Sequence, residues 1–536
     1  MAAAHPDEAP RGAVAAALLG GALHIAFLAT QITTASGTLL VTYTLGPPAI
    51  AGAVYWLWSR LRYETAPSAL LSAVQLRLGG ATGVVIALAG LSYIILTGWL
   101  MSNVAYDIWG AFVAAPVIGW LSTRVIRKLF AGDLEYLRRP AQIGLLAKTA
   151  GTLARYWIAN DVYGGAADAT NYHYVGKSLA GRLYTGRLSA WEIIPHSQGT
   201  KFVQEVTGLL YSMTGSSRLA GFLWFGMFGY FGVLLVVRAA AVSVRGLMTV
   251  RYAWLCLLMP SLMYWPSSVG KEAWLSFTLG VLTLGASRLW LGRVRAGLPW
   301  VLLGSVGTAM VRPHMALMYL AGLVLATAVS LVVRRTNTQA LTRRRWTSVV
   351  LLILGIAALG LMGRVTLQFL NADEETNQSV TRTISDIIDE AGQRTGSGGS
   401  SFTPVRISGP LDYPEAVVRT LTRPLFYEAT SFATLLPAVE MTFFLCLCIA
   451  NWRRVLRAPQ TMITTPFVMY ALSICIMFGL VWSSFGNMAI LVRQRSLVVP
   501  FLLLLTCLPD SAVKPRSPST TPLTDERQLW VTTRSS

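Results

Sequence analysis

Apolar runs of about 18 to 25 residues recur from one end of this chain to the other, each long enough to cross a hydrocarbon core of about 30 Å as a helix. Inside such a core every backbone N–H and C=O must be bonded within the protein, which admits helices and closed barrels only, and runs of this length fit helices. Of the 536 residues 54% are hydrophobic and only 13% charged, with a mean hydropathy of +0.53, a balance too apolar for a soluble protein of this size. The expectation is an all-α polytopic membrane protein with about 14 transmembrane helices and two large outer loops.

The formal charge of +20 raises the question of nucleic acid. The Lys and Arg fall instead in short clusters between apolar runs and form no continuous patch, so they read as topology signals and no nucleic-acid partner is expected. The five cysteines, Cys256, Cys446, Cys448, Cys475 and Cys507, lie within apolar runs without metal-type spacing and read as packing residues.

Assigning basic clusters to the inside gives a consistent path. Spans are expected at 13–32, 38–58, 79–100 and 104–122, with Arg60 and Arg62, then Arg124, Arg127, Lys128, Arg138 and Arg139, inside. The polar start, Met1 to Arg11, carries Asp7 and Glu8 and reads as the flank of an uncleaved first span. A span at 141–160 contains Lys148 and Arg155, which must face protein or snorkel. It delivers a first outer loop, 161–217, in which 172–183 reads as an amphipathic helix. Further runs follow at 219–237, 252–264, 273–289, 299–311, 315–333 and 346–362. A second outer loop, 364–428, holds Asp373, Glu374, Glu375, Asp386, Asp389 and Glu390 and is Ser/Gly-rich at 395–401, a composition expected to be mobile. Runs at 430–450, 461–482 and 491–508 complete the set. Three regions result: a four-span segment 1–140, a membrane domain 141–509, and a cytoplasmic tail 510–536 whose Pro, Ser and Thr content predicts disorder. This places the chain in the plasma membrane, multi-pass, with both termini cytoplasmic and the lipid bilayer as its first partner.

On this path the unusual polar motifs all reach the outer side: Asp161, Asp168 and His173; Lys271 and Glu272; Arg312 and His314; Arg423 and Glu428; and Arg493 and Arg495. Acids and arginines converging at one face suit an anionic, lipid-linked substrate, the acid taking a proton from an attacking hydroxyl and the arginines forking onto phosphate. Tyr163, Tyr172 and Tyr174 can stack on sugar rings. Each motif has a plainer reading as well. Asp161 and Asp168 can be solvated loop acids, His173 an interfacial histidine, Lys271–Glu272 a pair at a helix start, and Arg493 and Arg495 interfacial anchors. Arg312 is costly at membrane depth, and Pro313 breaks a helix there. Glu440, inside an expected span, is either a partner for such an arginine or a buried protonated acid. Asp161, Asp168 and His173 could hold a divalent ion such as Mg or Mn, although their spacing demands none. No cofactor is otherwise implied, and no P-loop or Gly-rich nucleotide fingerprint occurs, so an ATP-driven activity is not expected.

The run from Asp168 through Tyr172 and His173 to Gly176, the stretch from Pro260 to Glu272, Val311-Arg312-Pro313-His314 and Arg493-Gln494-Arg495 together resemble bacterial polytopic proteins of cell-surface polysaccharide assembly. These are the C-class glycosyltransferases that use polyprenyl-phosphate sugars and the related exopolysaccharide and O-antigen polymerases. The resemblance covers roughly 141–508. It implies a polyprenyl-linked sugar donor or oligosaccharide as partner, and an acid of the first outer loop, at Asp161 or Asp168, as base or metal ligand. Four spans before that loop depart from the family pattern. The functional expectation is glycosyl transfer or polymerisation at the outer face, the alternative being a transporter or flippase for a lipid-linked or anionic solute. The absence of repeat symmetry between the two halves, and the gathering of polar residues at one face, favour the enzyme.

Overall fold

A helix with apolar side chains on every face must be surrounded by other helices or by lipid. Arg218–Ser243 is such a helix, and in a computed structural model of the protein it is the central and most deeply buried of the long apolar helices. The structure describes residues 93–510 except 94, 166–167, 190, 334–341, 373–411, 430–431 and 484, and gives backbone alone for 342–348, 351, 367–372 and 432–433. The expected spans at 13–32, 38–58 and most of 79–100, the acids of the second outer loop from Asp373 to Glu390, and the tail beyond Asp510 lie outside the described residues.

Among the described residues the fold is all-helical, with no strand. The longer helices are α1 Tyr106–Leu129, α2 Arg138–Trp157, α3 Asp168–Tyr184, α4 Thr200–Thr214, α5 Arg218–Ser243, α6 Thr249–Leu258, α7 Lys271–Trp290, α8 Val294–Ala309, α9 Pro313–Val333, α10 Thr342–Ala372, α11 Asp412–Thr422, α12 Phe432–Ala450, α13 Pro466–Val481, α14 Met488–Arg495 and α15 Val499–Leu505. Three of them, α1, α5 and α9, are long and apolar enough to cross a membrane, and α14 with α15 would make a fourth if taken as one span. The amphipathic helix expected at 172–183 is present as α3, one turn longer at its start.

Two expected spans are broken where proline removes a donor. The run 252–264 divides at Met259, which is extended, because Pro260 starts a separate short helix, Pro260–Tyr264. The run 491–508 bends by 66° between α14 and α15, with Pro500 in the first turn of α15. At Arg312 the chain also leaves one helix and enters the next at Pro313, where a missing N–H has no cost.

Close backbone contact sets the centre of the bundle. A Cβ at Gly232 of α5 would lie 2.1 Å from the Ser276 carbonyl oxygen of α7, and one at Gly280 would lie 2.4 Å from the Gly232 oxygen. The two helices therefore meet backbone to backbone, as small residues allow in apolar surroundings. Contacts run in step along them, from Gly229 against Pro266 to a 2.6 Å hydrogen bond between the Ser243 and Ser287 hydroxyls, so α5 and α7 are parallel. The polar motifs and the starts of α1, α5, α7 and α9 consequently share one end of the bundle. Arg238, Arg288 and Arg293 feel one another at the other end, where Arg251 donates to Asn451 at 2.9 Å and Met248 N–H to the Cys507 carbonyl at 3.0 Å.

Gly232→Ala should cost about 2 kcal/mol or more, the range of an overpacked core. Gly119→Ala, on a face of α1 with nothing within 4 Å of the added carbon, should be neutral or slightly stabilising. Unfolding of the two variants in mixed micelles compares them directly.

Candidate functional site

The loop Ser267 to Gly270 is buried, and it ends where α7 begins with Lys271 and Glu272 in its first turn. A carboxylate is favoured at a helix start, where free N–H groups and the macrodipole are positive. Here it is also almost fully enclosed, with 3% of the Glu272 side chain exposed. Its Oε1 accepts from Arg493 Nε at 2.7 Å and from Gln494 Nε2 at 3.2 Å, and lies 3.4 Å from Arg312 Nη2. Arg312 donates in turn through Nη1 to the Gln494 carboxamide oxygen. Arg493 extends past Glu272 to Asp168, the first residue of α3, with Nη1 at 3.2 Å from Oδ2. Asn487 caps the α14 helix that carries Arg493 and Gln494, its Oδ1 accepting from the N–H groups of Ala489 and Ile490.

Three segments far apart in sequence thus meet at one carboxylate, and Arg493 joins a fourth to it through Asp168. Lys271 belongs to the same group, feeling Arg312, Glu272, Asp168 and Arg493, and among the described residues it is in no ion pair. Three cations face two carboxylates, which leaves one positive charge in excess. The exposure is uneven: Asp168 is 64% exposed, Arg493 26% and Arg312 16%. Tyr172, one turn from Asp168, is buried; its ring and Glu272 Oε2 would each lie 3.8 Å from a Cβ at Gly270, so the ring forms a wall of the group. A rigid, enclosed carboxylate holding two guanidinium groups, beside an exposed carboxylate and an unpaired ammonium, can bind an anion and exchange a proton at its rim.

His173 follows Tyr172 but turns to another polar group. It is fully buried, its Nδ1 shares a 2.9 Å hydrogen bond with the Tyr211 hydroxyl, and its Nε2 stands 3.7 Å from Asp107 Oδ1. Asp107 Oδ1 also accepts from the Arg218 backbone N–H at 3.1 Å, and its carbonyl accepts from the Ser217 hydroxyl. The Arg218 side chain donates to Asn160 Oδ1 at 2.6 Å and lies over the Tyr174 ring. This group ties the starts of α1, α3 and α5 to the end of α2. Burial disfavours the imidazolium first, Arg218 and Lys177 add to this and Asp107 opposes it, so the His173 pKa is pushed down from 6.5 to about 4.

Of the remaining sequence candidates, His314 stays beside the group and feels Arg312 and Lys271, whereas the others make their contacts elsewhere. Asp161 sits exposed on a π-helical turn, Ile158–Val162, that ends α2. His314 faces the Trp482 ring at 6.3 Å between centroids. Arg423 pairs with Glu428 at 2.6 Å, a carboxyl that burial would raise but that the Arg423 bond and the Leu425 N–H hold below its ordinary range. Arg495, 2% exposed, donates to the carbonyls of Leu421 and Arg423 and so closes the end of α11. Among the described residues no three His, Cys, Asp or Glu side chains converge as metal ligands, so Asp161, Asp168 and His173 do not come together as a Mg or Mn set. Sequence reasoning passed over Asp107 and Arg218, and quoted Gln494 only as the middle of a motif without giving it a role. Gln494 stands between two arginines in an otherwise apolar region, and Asp107 and Arg218 are lone charges at the starts of apolar helices, which are signals of the same kind as those that drew attention to Arg312.

Glu272→Gln, which leaves two guanidinium groups short of their shared charge, should destabilise the fold by about 3 kcal/mol. Asp168→Asn, at an exposed pair, should cost under about 1 kcal/mol. Denaturation of both variants and of the double mutant gives the coupling. The unfolded chain protonates His173 near its ordinary 6.5 whereas the fold resists until about 4, so stability should fall as pH drops across that interval and level off below it, and His173→Gln should flatten the profile. Comparison of the chain with known families, curated proteins and solved structures finds no match.

Proposed function

We propose that this is an integral-membrane enzyme of cell-surface polysaccharide assembly that transfers or polymerises sugar from a polyprenyl-phosphate donor at the outer membrane face. The reading takes the full path of about 14 spans with two outer loops and both termini cytoplasmic. It draws support from the division of charge along the bundle, with Arg238, Arg251, Arg288 and Arg293 at one end and the Asp168–Glu272–Arg312–Arg493 group at the other.

The observation that carries it is the arrangement around Glu272: one excess positive charge, held rigidly, beside the exposed carboxylate of Asp168. In the proposed step an acceptor hydroxyl gives its proton to Asp168 and its oxygen bonds to the anomeric carbon. The bond from that carbon to the phosphate oxygen breaks, and the phosphate leaves with its electron pair. Lys271, Arg312 and Arg493 stabilise the charge that gathers on it, and that charge is greatest as the bond breaks. Glu272 keeps the two arginines aimed and charged. Tyr163, and the side of the Tyr174 ring away from Arg218, are exposed and offer ring faces for sugar. His173, deeply buried in the Tyr211–Asp107 group, holds α3, and with it Asp168, in place in this reading.

Purified protein in nanodiscs, supplied with polyprenyl-phosphate sugars and an oligosaccharide acceptor, should transfer sugar. Asp168→Asn should reduce turnover about 100-fold or more with donor binding retained, and Lys271→Met should weaken donor binding about tenfold. No transfer by the wild-type protein, together with unchanged surface glycan in cells carrying Asp168→Asn, would overturn the reading. Movement of a labelled lipid-linked sugar across the bilayer without transfer would establish the flippase instead.

A further inference from the structure

The helix Pro260–Tyr264 is only five residues long, too short to satisfy its own ends, yet it lies inside the bundle. Its poles are met by two charged side chains from distant parts of the chain. At its start the Ser261 N–H donates to Glu440 Oε2 at 2.6 Å, and Glu440 is 4% exposed. At its end Lys148, 1% exposed, donates through Nζ to the carbonyls of Leu262 at 2.9 Å, Pro266 at 2.9 Å and Met263 at 3.4 Å. An ammonium has three N–H donors, and three carbonyl oxygens receive them. The acid sits at the positive pole and the ammonium at the negative one, the favourable sense for both.

The carbonyl end of this segment is tightly packed. A Cβ at Gly151 would fall 2.8 Å from the Met263 carbonyl oxygen, and one at Gly229 would fall 2.3 Å from that of Pro266, so α2 and α5 press directly on the carbonyls that Lys148 gathers. Arg155, two turns along α2 from Lys148, lies over the Tyr264 and Trp265 rings and donates to the Tyr264 hydroxyl at 2.8 Å. Four residues separate Pro266 from Lys271. Glu440 in turn feels Arg495, which shares the short α14 helix with Arg493.

We infer that Lys148 and Glu440 are positioning residues that clamp the two poles of the Pro260–Tyr264 helix and thereby fix Lys271 and Glu272 against Arg312 and Arg493. The inference rests on the proposed site for its functional consequence, while the clamp itself is a property of the fold. Lys148 acts as a tethered cation: it closes carbonyls that Pro266, non-helical and without an N–H, leaves outside regular helix bonding, and it shares the Met263 carbonyl with the Ser267 hydroxyl. Glu440 supplies the acceptor that the first turn lacks.

Hydrogen exchange of the full chain in nanodiscs tests this without reference to turnover. Lys148→Met should raise exchange of the amides in 260–272 at least about tenfold while leaving those of 218–243 unchanged, the effect of one lost charged hydrogen-bond set. Protection in Lys148→Ala should return with added ethylammonium and not with ethanol. Glu440→Ala should open the same segment, whereas Glu440→Gln, whose carboxamide oxygen can still accept from Ser261, should keep most of its protection. Wild-type exchange in Lys148→Met, equal restoration by ethanol, or identical behaviour of Glu440→Ala and Glu440→Gln would overturn the inference. Should Lys148→Met fail to accumulate, the two Glu440 variants decide it alone. A wild-type protein that transfers no sugar would remove the proposed function and leave these exchange results standing.

Discussion

One enclosed carboxylate organises the polar end of this molecule. Glu272 has 3% of its side chain exposed and holds Arg493, Arg312 and Gln494 through a single oxygen. A lone carboxylate in that position would be strongly disfavoured, and so would two lone guanidinium groups. Only together are they tolerable, which requires the beginning of α7, the link before α9 and the broken helix α14 to arrive at the same place. The group is therefore a consequence of the fold and also a condition on it.

The bundle meets that condition with small residues and with helix breaks. Gly232 and Gly280 let α5 and α7 touch along their backbones, which sets the depth at which Lys271 and Glu272 emerge. The 66° bend between α14 and α15 turns α14 so that Arg493 meets Glu272 and Asp168 while Arg495, two residues on, closes the end of α11. Neighbouring residues of one short helix thus do different work, since side chains two apart on a helix point in widely different directions. The same division separates Tyr172, which walls the Glu272 group, from His173, which belongs with Asp107 and Tyr211.

The all-helical character of the fold was legible in the sequence because long apolar runs have one outcome in a hydrocarbon setting. The helices α1, α5 and α9, the amphipathic α3, and the turn to protein of Lys148 follow from run length, periodicity and the cost of a charge in apolar surroundings. The breaks were less legible. Pro260 and Pro500 are visible in the sequence, but proline permits either a kink or a true interruption, and the choice depends on what receives the freed backbone groups. At Pro260 the receiver is Glu440 and at Pro266 it is Lys148, neither of which is near the segment in the chain.

The candidate site divides along the same line. Sequence alone determined that Asp168, Lys271, Glu272, Arg312 and Arg493 were unusual, because isolated charges at the edges of apolar runs need partners or water. It could not determine which partner each would take, since an arginine satisfies a carboxylate, a phosphate or a row of carbonyls equally well by its donor geometry. Tertiary structure made that choice: Arg493 and Arg312 go to Glu272, Arg423 goes to Glu428, Arg495 goes to backbone, and His173 goes to Tyr211. The physical reason is that chemical type fixes what a side chain requires, whereas pairing depends on distance and direction, and those exist only once the helices have met.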